Sequence, residues 1–181
     1  MKQKTLSPVY LYVIDEFGQI SGDISQRFDN PEKYAVLNFT SFRQFLENTD
    51  IPRIPGIRKA NIRIIIYVLN RHLQNSDSCD EALEVLHQVH NLPDKYSTIF
   101  LVDSNYKDKG QPVLEAGAGA WIINNPNAIH WIDNHVKGTI SRSNLDKKRK
   151  ASKLALRILA VYIILVSLFT LAARFLFPWY F

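Results

Sequence analysis

Five short blocks of nearly continuous apolar residues punctuate the chain as far as residue 123: Val9–Ile14, Tyr34–Phe39, Ile62–Leu69, Ser97–Val102 and Trp121–Ile123. They are rich in β-branched and aromatic residues, and such runs are expected of strands buried on both faces of a parallel sheet. The segments between them carry helix signals. Ser41 with Gln44 is a capping-box pattern that opens a helix running through Glu47, and Ser78 with Glu81 repeats it. Ala82, Val85, Leu86 and Val89 then recur at helical spacing, which predicts an amphipathic helix over 79–90. Gln111–Ala116 reads as a short helix with Pro112 in its first turn and Gly117 as its stop. Asn127 is placed to cap a further helix whose Ile129, Ile132 and Val136 share one face. Phe17–Lys33 gives only a weak helix signal, and Pro52, Pro55 and Gly56 break the chain over Asp50–Gly56. Strands alternating with helices predict an α/β domain, a flavodoxin-like doubly wound five-stranded parallel sheet of order 2-1-3-4-5. Its ligand crevice would lie at the carboxyl ends of the strands, where Asp15, Glu16, Asn70 and Asp103 gather.

The apolar pattern changes in kind after residue 153. Leu154–Phe177 is a long apolar run, and its uninterrupted part, Ile158–Ala173, offers only Ser167 and Thr170 as polar side chains. Ten strongly apolar residues there favour insertion by on the order of 3 to 6 kcal/mol. With its flanks the run reaches the roughly 20 residues that a hydrocarbon core of about 30 Å requires. Arg157 and Arg174 bracket it and can snorkel to the two headgroup layers, and Phe175, Phe177, Trp179, Tyr180 and Phe181 supply an interfacial aromatic cluster. A helix lying flat on a membrane needs a polar face that this segment lacks. One C-terminal transmembrane helix is therefore expected. The resulting division is a domain over 1–137, a polar then basic juxtamembrane linker over 138–153, the anchor over 154–177 and an aromatic end over 178–181. As a flexible chain, the nine residues of Gly138–Asp146 would span about 15–18 Å.

Charge agrees with this division. Fifteen cations against seventeen carboxylates leave residues 1–146 at −2, and seven cations without an acid leave the remainder at +7. The overall +5 therefore belongs to the membrane junction of Lys147, Lys148, Arg149, Lys150, Lys153, Arg157 and Arg174, and no nucleic-acid partner is expected. The same cluster orients the N-terminal domain toward the cytoplasm. Val9–Ile14 is too short for the core of a cleavable signal, so the chain reads as tail-anchored. Its single cysteine, Cys79, excludes an intrachain disulfide and suits a reducing compartment.

Candidate chemistry is sparse. Asp15, Glu16 and Asp103 are the residues that a weak Mg²⁺ site at the crevice would use, although strands one and four are not neighbours in the expected order. His87 and His90, three apart on a helix, lack an obvious third ligand. Gly117-Ala118-Gly119-Ala120 precedes a strand rather than opening a helix after one, so it is not a phosphate-cradling loop.

Two motifs resemble bacterial response-regulator receiver domains over roughly residues 9–137. Val13-Ile14-Asp15-Glu16 resembles the acid pair that ends a receiver's first strand. Glu115–Pro126 resembles the helix-turn-strand that ends in a lysine and a proline. The resemblance implies a phosphoacceptor aspartate at the end of the third strand, but the best-matching position here is Val68. The lysine position is filled by Asn124 or Asn125, with one residue more before Pro126, and the strand-four hydroxyl position falls at Asp103-Ser104. Phosphotransfer needs a nucleophilic carboxylate and positive charge, which valine and asparagine do not supply. The resemblance thus implies a degenerate receiver, without enzymatic activity or cofactor, at the cytoplasmic face of a bacterial inner membrane. It also implies an output face for a protein partner at Trp121, Trp131 and His135. The expected role is a protein–protein interaction or signalling adaptor. The alternatives are a structural subunit of an envelope membrane complex, and a metal- or nucleotide-dependent enzyme, such as a Mg-dependent hydrolase, using the crevice.

Overall fold

The computed structural model describes residues 9–48, 62–69 and 78–176, with side chains as far as Leu168 except that of Ser78, so the cap expected from Ser78 lies outside the described residues. Asn70, the break over Asp50–Gly56 and the aromatic end over 177–181 lie outside the described residues, as do the side chains of Arg174 and Phe175. In chain order the elements are β1 (Val9–Ile14), α1 (Ser21–Arg27), β2 (Tyr34–Phe39), α2 (Phe42–Glu47), β3 (Arg63–Val68), α3 (Ser78–His90), β4 (Ser97–Val102), a 3₁₀ turn (Ser104–Lys109), α4 (Gln111–Glu115), β5 (Ala120–Ile123) and α5 (Ala128–Leu176). The five strands form one parallel sheet of order β2-β1-β3-β4-β5, the order expected from the sequence.

Alternation along the strands divides the core into two layers. Tyr12, Ile14, Ile65, Phe100 and Val102 face the side covered by α2, α3 and α4, where Phe45, Val85, Leu86, Val89 and Val113 are buried with them. Leu11, Val13, Ile64, Ile66, Ile99 and Leu101 are left for the opposite side, which takes Ile24 of α1 and Ile132 and Val136 of α5. On the first side the packing is strongly aromatic: the Tyr12 ring meets Phe39, Phe45 and Tyr96 at centroid distances of 6.3, 5.3 and 5.9 Å.

Local signals were read correctly in type and differently in detail. The amide of Gln44 donates to Ser41 Oγ at 3.2 Å, but the Gln44 side chain reaches past Ser41 to the amide of Thr40 at 2.9 Å. Glu81 accepts the Tyr67 hydroxyl at 2.8 Å, tying α3 to β3. Burial, then the Glu81 hydrogen bond, pushes the Tyr67 phenol well above its usual range. Gly117 ends α4 with φ of 105°, a conformation that glycine adopts without strain. The opening of α5 is secured by Asn125, whose Oδ1 accepts the amide of Asn127 at 2.9 Å, so the side-chain bond comes from two residues before the expected cap.

The chain divides into two compact units, Met1–Thr139 and Ile140–Phe181. Residues 138–153, expected as a linker, lie within helix α5. Gly138 is the one helix breaker in that stretch, at a cost of about 1 kcal/mol. The Lys and Arg residues that follow are good helix formers, so the stretch has local reason to stay helical.

Candidate functional site: the strand ends and the β5 edge

The crevice at the carboxyl ends of the strands is where the sequence pointed first. Asp15 follows β1 directly and is 4 % exposed. Its Oδ2 accepts the amides of Ile20 at 2.8 Å and Ser21 at 3.1 Å, so this carboxylate caps the start of α1. Its Oδ1 is buried without a hydrogen-bond partner among the described residues. Glu16, the next residue, is exposed. On β3, Tyr67 is the register partner of Ile14, which sets Val68 beside Asp15 on the neighbouring strand. Val68, the residue expected at the phosphoacceptor position, is an apolar side chain that is 6 % exposed.

Asp103 caps the 3₁₀ turn, its Oδ1 taking the Ser104 hydroxyl at 3.0 Å and the Asn105 amide at 3.4 Å. The sheet order inserts β3 between β1 and β4. Two strand spacings are about 10 Å, whereas oxygens sharing one Mg²⁺ ligate at about 2.1 Å each. Among the described residues no group of three or more His, Cys, Asp or Glu side chains lies close enough to hold a metal ion. His90 packs beneath Gly117, where an added Cβ would come within 3.4 Å of its ring, and His87 Nδ1 lies 3.5 Å from the Asn91 side chain.

Of the two residues expected at the lysine position, Asn124 donates its amide to Val102 O at 2.6 Å, and the Asn125 side chain is engaged in the turn that opens α5. Neither side chain carries the positive charge that phosphoryl transfer would need.

The three residues expected at an output face do come together. Trp121, Trp131 and His135 line one open groove of about 560 Å³ with Ala120, Ile122, Ile123, Asn125 and Asn134. It follows β5, the strand at one edge of the sheet. Trp121 is half-buried and held inward. Its indole N–H donates to Tyr106 O at 3.1 Å, and its ring lies so close over Gly110 that an added Cβ would fall 2.5 Å from it. Trp131 is the opposite case, 59 % exposed on α5. Gly119 permits the approach of His135: a Cβ there would lie 3.0 Å from His135 Nε2 and 2.8 Å from Ser97 Oγ.

One polar cluster escaped the sequence reading. Asp133 on α5 is buried and takes hydrogen bonds from Lys137 Nζ at 2.9 Å and Arg27 Nε at 3.1 Å. Burial alone would raise this carboxyl, but the bonds from Lys137 and Arg27 outweigh it and hold the group below its ordinary value. The spacing of Asp133 and Lys137 was visible as an i,i+4 pair, but Arg27 is 106 residues away in the chain.

With the sheet order and the strand ends known, comparison with solved structures is decisive for the fold. Full-length FixJ from B. japonicum matches 79 % of this chain at 13 % identity and a TM-score of 0.57. FixJ-N matches 73 % of this chain and 93 % of its own length at 14 % identity and a TM-score of 0.52. The fold is that of a response-regulator receiver. The chain spans 63 % of the length of full-length FixJ. No family model matches the sequence, and no curated protein matches it.

Proposed function

We propose that this chain is a membrane-anchored receiver-fold adaptor that does not accept phosphate and works through protein contacts along the β5 groove. The observation that carries the reading is the apolar part of α5. Leu154, Leu156, Ile158, Leu159, Ile163 and Leu168 are each more than half exposed, and no part of the most apolar stretch is buried in protein. A water-soluble protein rarely leaves so large a contiguous apolar surface uncovered, whereas a bilayer covers it on all sides. Lys147–Lys150 and Lys153, just before that stretch, support a cytoplasmic domain under the positive-inside bias. A bacterial inner membrane is the compartment that joins this orientation to a receiver fold.

The phosphate-silent part of the reading rests on Val68, Asn124 and Asn125 at the strand ends and on an Asp15 already engaged as a helix cap. The adaptor part rests on the exposed Trp131 beside an edge strand, with binding favoured because confinement to a membrane raises effective concentration. Alkaline carbonate extraction of membranes holding the full-length chain tests the anchor: the protein is expected in the pellet, and release into the supernatant would refute anchoring. Protease added to inverted vesicles should digest the domain, and protection would reverse the orientation. Incubation with acetyl phosphate should leave no acid-stable, hydroxylamine-sensitive label on the domain.

A further inference from the structure

The helical state of residues 138–153 adds something that a string of basic residues does not contain. On an α-helix each residue advances about 100° and 1.5 Å. Lys150, Lys153 and Arg157 stand at i, i+3 and i+7, so they fall within an arc of about 60° and along about 10 Å of the axis. All three are exposed, and among the described residues none is paired with a carboxylate. Lys148 projects from the far side of the same turn, Arg149 flanks the arc about 40° from Lys153, and Asp146 lies on the stripe one turn before it, at the end away from the apolar run.

The height of the stripe is as informative as its direction. Lys150 is four residues, about 6 Å, before Leu154, where the apolar run begins, and Arg157 is about 5 Å beyond that point. A bilayer of about 40–45 Å with a core of about 30 Å leaves a headgroup layer of about 5–8 Å on each side. Long cationic side chains snorkel outward from the edge of the core, so three positive heads from one helix face converge on a single headgroup layer. This deepens the anchored reading of the chain and rests on it: we infer that Lys150, Lys153 and Arg157 form a one-sided site for the phosphate of an anionic phospholipid in the cytoplasmic leaflet, beyond the diffuse attraction of the whole cluster. Lysine ammonium groups and the arginine fork are the donors that phosphate oxygens take, and three on one face can serve one headgroup at once.

The test uses the full-length chain in mild detergent, titrated with phosphatidylglycerol or phosphatidylcholine, with retained lipid counted by native mass spectrometry. Phosphatidylglycerol should be retained about tenfold or more over phosphatidylcholine, since each juxtamembrane cation contributes about a fivefold preference. A Lys150→Gln, Lys153→Gln variant should lose most of that preference. A Lys147→Gln, Lys148→Gln variant, which removes the same charge from outside the arc, should keep it within about twofold. Equal retention of the two lipids, or equal loss in both variants, would overturn the one-sided site. Displacement of the lipid by millimolar inorganic phosphate would reassign the stripe to a free anion. Carbonate extraction of the same proteins separates the two readings: a chain that stays in the membrane without lipid preference defeats this inference alone, and a chain that washes off defeats the anchor and the lipid site together.

Discussion

Placing a carboxylate where a receiver would accept phosphate should damage this protein rather than activate it. In Val68→Asp the new side chain would stand beside Asp15 on the adjacent strand, at a site now 6 % exposed. Losing the buried valine costs about 1.5–3 kcal/mol. Two carboxylates one strand spacing apart, about 5 Å, repel by about 3 kcal/mol at an effective dielectric constant near 20. The strand-end positions that would offer a compensating cation carry Asn124 and Asn125. The total, about 5 kcal/mol, rivals the whole stability of a typical small domain. The charge part of the deficit has a definite sign in pH. Crowding raises the folded-state pKa of the introduced group above its unfolded value of about 3.9, so the repulsion is absent below that pH and grows as pH rises. Urea unfolding of the full-length chain in detergent, followed by tryptophan fluorescence at pH 4 and pH 7, measures both parts. A variant as stable as the parent at pH 7, or one that takes a stable label from acetyl phosphate, would refute the account of these strand ends.

Three further outcomes follow from the geometry. Asp133→Asn should cost about 1.5–3 kcal/mol by removing the charged acceptor shared by Arg27 and Lys137. Because the Asp133 pKa is lowered in the folded state, its contribution is full above about pH 4 and is lost as pH falls through the folded value, so the variant should show a flatter acid limb in its stability profile. Gly110→Ala drives a methyl group to 2.5 Å from the Trp121 ring and should cost about 1–3 kcal/mol, with a red shift of Trp121 emission in a Trp131→Phe, Trp179→Phe background; an unshifted spectrum would mean that the ring is not held there. Trp131→Ala should change stability by no more than about 0.5 kcal/mol, because the ring is mostly in solvent, and, on the proposed adaptor role, should abolish co-purification of proteins recovered with the parent from solubilised membranes; full recovery of those proteins would refute the β5 groove as the proposed contact.

The strands were legible in the chain because both of their faces are buried: a segment that must be apolar on each side announces itself without knowledge of its neighbours. The same holds for the apolar tail, whose reading needs only length and composition. Short α1, Ser21–Arg27, was barely visible, since seven residues with a single buried side chain, Ile24, have too little pattern to detect. Residues 138–153 look like a linker in one dimension because nothing there repeats at helical spacing, yet they lie within a single 49-residue helix. The expectation of a degenerate site at Val68, Asn124 and Asn125 comes from the motifs, whereas the engagement of Asp15 as a cap for Ile20 and Ser21 could not be read from the chain. Nor could the Arg27–Asp133 pair or the pinning of Trp121 by Gly110 and Tyr106. A residue's chemical type and its local period are properties of the sequence, and they determined the elements and the apolar tail. Which polar atoms meet across many residues of chain depends on how the elements close against one another, and only the folded domain decides that.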